Sequence, residues 1–204
     1  LGFDPKLFTN NSLKRSFKDS CNLSPVNQNL IDLVDSKKIN DYGKETFYAL
    51  NDKAVGESVN SKINRLILNL KKKKIDNIFI SAPENVAWLL NLRGKDNPYS
   101  PIPNCQIILT KNKKIYFFSL KERIVKIKNQ YPYKNFNFLN FIEFVSLINK
   151  LPGKHFCIDG STCSVFYETI IKSKFNCKSL VDPCYEMKAI KNKTEIKSMI
   201  KAHI

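Results

Sequence analysis

The residues best equipped for chemistry gather in one short stretch, Ala87-Trp88-Leu89-Leu90-Asn91-Leu92-Arg93-Gly94-Lys95-Asp96. The only tryptophan of the chain falls on a predicted helix, and an arginine, a glycine and an aspartate follow it in a loop bounded by prolines. A loop that carries Arg and Asp beside a rigid helix can grip a carboxylate, an amine or the backbone of a partner. The competing reading has Arg93 and Asp96 bonding each other and the loop backbone, with Trp88 in the core. Trp88, Arg93 and Asp96 are the candidate site residues on either view.

Elsewhere the familiar reaction centres are missing. The six glycines, at 2, 43, 56, 94, 153 and 160, never fall into a G-x-G or G-x-x-x-x-G-K frame, so no phosphate-cradling loop is written here. No G-x-S-x-G elbow and no H-E-x-x-H helix occurs. The six cysteines, at 21, 105, 157, 163, 177 and 184, lack zinc-knuckle spacing and read as buried thiols of a reducing compartment. Of the two histidines, His155 opens an apolar run and reads as a packed imidazole, and His203 lies in the last helix. No catalytic set and no metal site can be assembled from this chain.

The elements that must position the loop follow from periodicity. Leu13, Phe17 and Cys21 predict a short helix capped by Asn11 or Ser12, Val26 to Val34 an extended run, and Asp35 to Val55 a polar connector. Val59, Ile63, Leu66, Ile67 and Leu70 make an amphipathic helix closed by Lys71 to Lys74, where cations suit the helix C-terminus. Ile75 to Ser81 reads as a strand, Pro83 to Leu90 as a helix with Pro in its first turn, and 106–110 with 115–120 as a hairpin. Then come a basic helix at 122–129, an apolar helix at 139–151, a strand at 155–159, a helix at 164–174 and a strand at 177–181. Strands alternating with helices, plus one hairpin, indicate an α/β sandwich with a mixed sheet. The last helix carries Ile196, Met199, Ile200, His203 and Ile204 on one face behind an Asn192-x-x-Glu195 capping pattern.

Hydrophobic residues make up 43% of 204, enough for a sizeable core, while no apolar run approaches the roughly 18 residues of a bilayer span. The expectation is therefore no membrane partner. A net charge of +16 suggests a polyanion, yet the surplus is almost all lysine, whereas base and bidentate phosphate recognition favours arginine. Lys, Asn and Ile are abundant together, as a drift toward AT-rich codons produces in any protein, so nucleic acid is not the expected partner. Leu1-Gly2-Phe3-Asp4-Pro5 is neither a charged leader region nor a signal core, and the chain reads as an excerpt.

The stretch AWLLNLRGKDNPYSPIP at 87–103 resembles the signature of the second domain of three-domain Xaa-Pro aminopeptidases (aminopeptidase P), where a Trp, Asn-Leu-Arg-Gly, an Asp and Asn-Pro follow one another. LGFDPKLFT at 1–9 looks like the close of that family's first domain, and IKNKTEIKSMIKAHI at 190–204 like the start of its catalytic domain. The resemblance implies an α/β fold, a creatinase N-terminal-like domain with a mixed β-sheet flanked by helices. It implies that residues 1–34 end a first such domain, 35–54 link, 55–189 form the whole second domain, and 190–204 begin a pita-bread metallopeptidase domain. The implied parent is a cytoplasmic homodimer that uses two divalent metal ions, usually manganese (Mn2+), to cleave the bond before proline in proline-containing peptides. Its metal ligands would follow Ile204, so this stretch alone is expected to hold no cofactor and to be inactive. The resemblance places Trp88, Arg93 and Asp96 nearest the substrate entrance, the stretch against its own catalytic domain, and His203 in helix packing. Lys95 at a commonly small position and Ser100-Pro101-Ile102 after Asn-Pro depart from the pattern. Two other readings stand beside it: a prolidase or creatinase relative, and a stand-alone basic α/β binding module.

Overall fold

The computed structural model describes residues 1–17, 21–26, 28–34, 47–96, 99–121, 123 and 135–204. Strands β1 (Gly2–Phe3) and β2 (Ser24–Pro25) pair in parallel around helix α1 (Asn10–Phe17). This helix starts earlier than predicted, because Thr9 is its cap. The backbone N–H of Ser12 donates to Thr9 Oγ1 and that of Thr9 to Ser12 Oγ, both at 3.0 Å, so Asn11 and Ser12 lie inside the first turn. Leu13 is buried as expected, but the stripe does not reach Cys21, which is exposed outside the helix. In place of an extended run, residues Leu30–Val34 form helix α2, started by Asn29 Oδ1 accepting from the N–H of Ile31 at 2.9 Å.

Much of the expected connector, residues 35–46, lies outside the described residues. At its end Phe47 is buried, Tyr48–Ala49 form β3 and Asp52–Val55 form α3. Gly56 closes α3 at φ 78, and a Cβ there would collide with Asn192 and Thr194, so the left-handed turn and the close approach both demand glycine. Helix α4 (Val59–Lys72), capped by Ser58, buries the predicted Val59, Ile63, Leu66, Ile67 and Leu70.

Strand β4 (Asn77–Ile80) leads through α5 (Pro83–Leu89) to the two-residue β5 (Leu92–Arg93). The predicted hairpin follows as β6 (Gln106–Thr110) and β7 (Ile115–Phe118). The basic helix expected at 122–129 falls almost wholly outside the described residues. The helix expected at 139–151 forms as a 3-10 turn (Phe141–Glu143) and α6 (Phe144–Lys150), and an unforeseen strand β8 (Phe136–Leu139) takes its first residue. Asn140 separates them: its side chain and that of Glu143 cap each other's backbone, which ends the strand and starts the turn. Then come β9 (His155–Ile158), α7 (Val165–Lys172), β10 (Asn176–Ser179), an unforeseen α8 (Pro183–Ala189) capped by Asp182, and α9 (Lys193–Ala202) with the predicted capping box.

The central sheet has the order β10-β9-β4-β6-β7-β8. β6 runs antiparallel to both β4 and β7, and the other neighbours are parallel, so the sheet is mixed and helices flank it, as the α/β expectation had it. Alternation divides the core in two. Ile78, Ile80, Ile107 and Leu109 face α4 and α5, whereas Phe79, Ile108, Phe118 and Phe156 face α6 and α7. Strands apolar on both faces are what a sheet covered on both sides requires.

One carboxylate ties the strand starts together. Asp76 Oδ2 accepts from the N–H groups of Lys154 and His155 at 2.8 and 2.9 Å, and Oδ1 from Lys111 Nζ at 2.6 Å. The His155 backbone bond and the Lys111 ammonium hold this carboxyl well below the ordinary value of 3.8. A depressed carboxyl stabilises the fold above its unfolded pKa and ceases to do so as the pH falls through its folded one. Asp76→Ala should therefore cost about 3 kcal/mol at neutral pH. In urea unfolding followed from pH 7 to 2, the wild type should lose more stability below pH ~4 than the variant. Parallel pH profiles would refute this role.

Candidate functional site

The chemistry-bearing stretch is held by a residue the sequence reading passed over. Lys62 sits three residues after Val59 and four before Leu66, on the buried stripe of α4, and is only 1% exposed. Its ammonium donates to Trp88 O at 2.7 Å and to Asn91 Oδ1 at 2.6 Å, and lies 4.3 Å from the centroid of the Trp88 ring. Burial lowers its pKa from 10.5 to about 8, against the opposing pull of Glu57 and Glu195, with Arg93 and Arg65 adding to the depression. A lysine at a stripe position was the available signal, since apolar helix faces admit a cation only where acceptors wait for it.

Those acceptors come from the end of α5. Asn91 takes the left-handed conformation at φ 51, which short polar side chains tolerate, and so turns the chain from α5 into β5. Its Nδ2 donates to Glu57 O at 3.0 Å, and its carbonyl accepts from the N–H of Leu50 at 2.8 Å. β5 pairs antiparallel with β3, Tyr48 opposite Arg93 and Ala49 opposite Leu92. Trp88 reaches the other way: its Nε1 donates to Glu195 Oε1 at 3.4 Å on the first turn of α9. Glu195 also accepts from the N–H of Asn192, whose Nδ2 donates to Val55 O at 2.9 Å.

The result is a cleft of about 330 Å³ between α3, the α5–β5 corner and α9. Its apolar lining includes Trp88, Val55 and Met199, and Lys62, Arg93, Lys191 and Glu195 supply its charges. Two of the three sequence-predicted residues meet here. Arg93 turns its guanidinium to its own corner, with Nη1 donating to Leu92 O at 2.8 Å and Ala87 O at 3.3 Å. Trp88 is half-buried against the core and open to the cleft. Asp96 is used elsewhere: it pairs with Arg123 and accepts from the N–H of Asn104 at 2.8 Å. Arg123 is 4% exposed and lies 5.5 Å from the Phe47 ring centroid. Gly94 makes this loop possible, because a Cβ there would stand 2.7 Å from Pro103 Cα. The pairing of Arg93 with Asp96 in the competing reading is not what forms; the bonding of Arg93 to backbone is.

The remaining reactive groups stay out of the cleft. All six cysteines are free, and burial pushes the Cys157 thiol up to about 12, far from thiolate chemistry. His203 ends α9 exposed, its Nδ1 2.8 Å from Met199 O. His155 is half-buried, and its Nδ1 finds no hydrogen-bond partner among the described residues. Among those residues no three His, Cys, Asp or Glu side chains form a group able to hold a metal ion, and no helix is long and apolar enough to cross a membrane. The cleft thus sets the Ser198 hydroxyl and the charges of Lys62, Arg93, Lys191 and Glu195 around one edge of an indole.

Deprotonating Lys62 removes a cation from the face of the only tryptophan, so Trp88 emission should titrate with a midpoint near 8 and lose that step in Lys62→Met. Because the folded pKa lies below the unfolded one, wild-type stability should also rise relative to the variant between pH ~8 and ~10.5. An emission profile that is flat in the wild type would refute the contact.

Comparison with known proteins places this geometry. A family model described as the creatinase/prolidase N-terminal domain matches residues 40–195. Xaa-Pro aminopeptidase 1 of Dictyostelium discoideum is 32% identical over 184 residues, covering 87% of this chain and 29% of the relative. A probable Xaa-Pro aminopeptidase P of Blastomyces gilchristii is 29% identical over 224 aligned residues, covering 100% of this chain and 36% of the relative. Among solved structures, an X-prolyl aminopeptidase of Caenorhabditis elegans, described as a cytosolic enzyme with a di-nuclear active site, superposes with a TM-score of 0.82 at 25% identity, over 99% of this chain and 34% of that one. The Xaa-Pro dipeptidase of Bacillus anthracis shares the fold, with a TM-score of 0.51 at 14% identity over 69% of this chain. The chain spans about a third of the length of these curated relatives. With the mixed sheet, the flanking helices and more than half of its residues matched, the chain belongs to the creatinase/prolidase N-terminal domain family.

Proposed function

We propose that this chain is the non-catalytic N-terminal region of a cytoplasmic, metal-dependent Xaa-Pro aminopeptidase, which removes the first residue from peptides with proline in second position. The observation that carries the reading is the superposition on the Caenorhabditis elegans aminopeptidase across 99% of the chain, against 69% for the dipeptidase. On this reading residues 1–34 end one creatinase-like domain, 55–189 form a second and 190–204 begin the catalytic domain. On the same reading a pair of divalent ions, manganese in the simplest case, belongs to the catalytic domain. This region supplies a wall of the substrate entrance and contacts between two copies. Trp88 and Arg93 are the entrance residues because they open onto the cleft beside α9, and Asp96 serves by fixing the loop behind them through Arg123.

The full-length polypeptide should release the N-terminal residue from an Xaa-Pro peptide in the presence of Mn2+ and lose that activity to a chelator. The 204-residue stretch should be inactive under the same conditions. Arg93→Ala in the full-length protein should raise KM roughly tenfold with kcat little changed, because an entrance residue binds ground and transition states alike. Turnover by the short stretch, or a full-length protein inert toward Xaa-Pro peptides, overturns the assignment.

A further inference from the structure

The lysine surplus is not spread over the molecule. β4, β7, β8, β9 and β10 begin, and β6 ends, at one end of the sheet, as their pairing directions require. Lys71 to Lys74 arrive there at the end of α4, on one face of the sheet. Lys150 and Lys154 arrive after α6 and Lys172 and Lys174 with α7, on the other face. Lys111, Lys113 and Lys114 occupy the hairpin turn between them, and Lys178 of β10 donates to Lys73 O at 3.4 Å. Among the described residues twelve lysines thus share one pole, and the acidic side chains bonded to them are two, Asp76 on Lys111 and Glu168 on Lys172. Over the rest of the described residues cations and carboxylates come much closer to balance. A codon-driven background would not sort itself this way.

Helix ends account for part of the charge only. Lys174 Nζ donates to the carbonyls of Ile148, Asn149 and Leu151 at 2.7 to 3.0 Å, closing α6. Yet the C-termini of α4, α6 and α7 offer only about −0.5 charge each, far less than the excess of lysines over carboxylates. Eight of the twelve, at 71–74, 113, 114, 150 and 154, are exposed and take no part in these bonds.

We infer that this pole is a docking surface for an anionic lipid bilayer. Its charges lie on both faces of the sheet and across the five strands from β10 to β7, some 19 Å at the usual strand spacing. That is an area rather than a stripe, and it suits a planar partner better than a linear polyanion. Among the described residues the pole carries no arginine and no exposed aromatic side chain. Those are the anchors of protein interfaces and of base recognition, whereas lysine is depleted in the former. Adsorption to acidic headgroups needs only positive charge near the surface. The inference is independent of the aminopeptidase reading, as it draws on no residue of the cleft.

The test is co-sedimentation of the full-length protein with vesicles of phosphatidylserine and phosphatidylcholine at 0.15 M salt, with pure phosphatidylcholine vesicles and a DNA duplex as comparison arms. The protein should partition onto the serine-lipid vesicles, and the triple variant K113E/K114E/K150E should lose on the order of 100-fold in partitioning. K193E/K197E/K201E changes the same charge on α9, near the opposite end of α4 and so beyond a screening length of about 8 Å, and should bind within threefold of the wild type. The milder K113Q/K114Q/K150Q should fall between, with circular dichroism confirming the fold of each. No partitioning, equal loss in both charge-reversed triples, or tighter binding to the duplex than to the vesicles each overturns the proposal.

Discussion

An ammonium group taken out of water keeps its charge only if the protein supplies what water did, and the Lys62 site organises the functional half of the molecule around that need. Two acceptors and an aromatic face surround the charge, and all come from the four residues that end α5, Trp88 to Asn91. To offer Oδ1 to Lys62, Asn91 must stand where its backbone enters the left-handed region, and that turn sends Leu92 and Arg93 into β5. β5 in turn pairs with β3, which fixes where the chain enters α3. Apolar packing alone would hold α4 against the sheet with a leucine at position 62. It would not dictate the corner that turns Trp88 and Arg93 toward one cleft.

The sheet beneath imposes the complementary constraint. With helices on both faces, successive residues of the inner strands β4, β6 and β9 are nearly all buried, and their polar side chains are satisfied at the strand ends. At the starts Asp76 does this for β9 and the hairpin turn. At the far ends Asp159 Oδ2 accepts from the N–H of Asp182 at 2.9 Å, and Asp182 Oδ2 from Asn85 Nδ2 at 2.7 Å. Lys188 Nζ completes the chain at Asn85 Oδ1, 2.5 Å away. Burial raises the Asp182 carboxyl while the bonds from Cys184 and Asn85 draw it down, so its ionised form rests on those donors being in place. α5 and α8 are thereby locked to the sheet by polar contacts at their first turns and by apolar ones along their lengths.

How much of this was legible follows from which forces are local. α4, the hairpin and the capping box of α9 depend on periodicity and on caps within a few residues, and they stand where the sequence puts them. The loop at 87–103 announced itself by residue type, and two of its three singled-out side chains do line the cleft. Other features depend on partners far along the chain. β8 has no sign in the sequence ahead of the helix expected at 139–151, because Phe136 and Phe138 are apolar in either form and only pairing with β7 selects the strand. β3 hid in a polar segment because two residues of pairing leave no period. Lys62 draws no notice in the sequence, since nothing near it reveals acceptors 26 and 29 residues on. Asp96 had an obvious neighbour in Arg93 and took a distant one in Arg123.

The same dependence on remote partners decides what α9 can be. Ten residues in water make a marginal helix, and Ile196, Met199 and Ile200 are each about half exposed, so burial of its apolar stripe contributes little. What holds it is its first turn. Asn192 and Glu195 satisfy the orphan N–H groups there, and the same two side chains bond α3 through Val55 O and α5 through the Trp88 indole. Gly56 lets that turn approach α3 as closely as it does. The direction of α9 is therefore set by capping residues that also form the rim of the cleft. A side chain that displaced Trp88 from Glu195 would release the helix and open the cleft in one step, which makes the Trp88 indole the joint between the Lys62 corner and everything C-terminal to it.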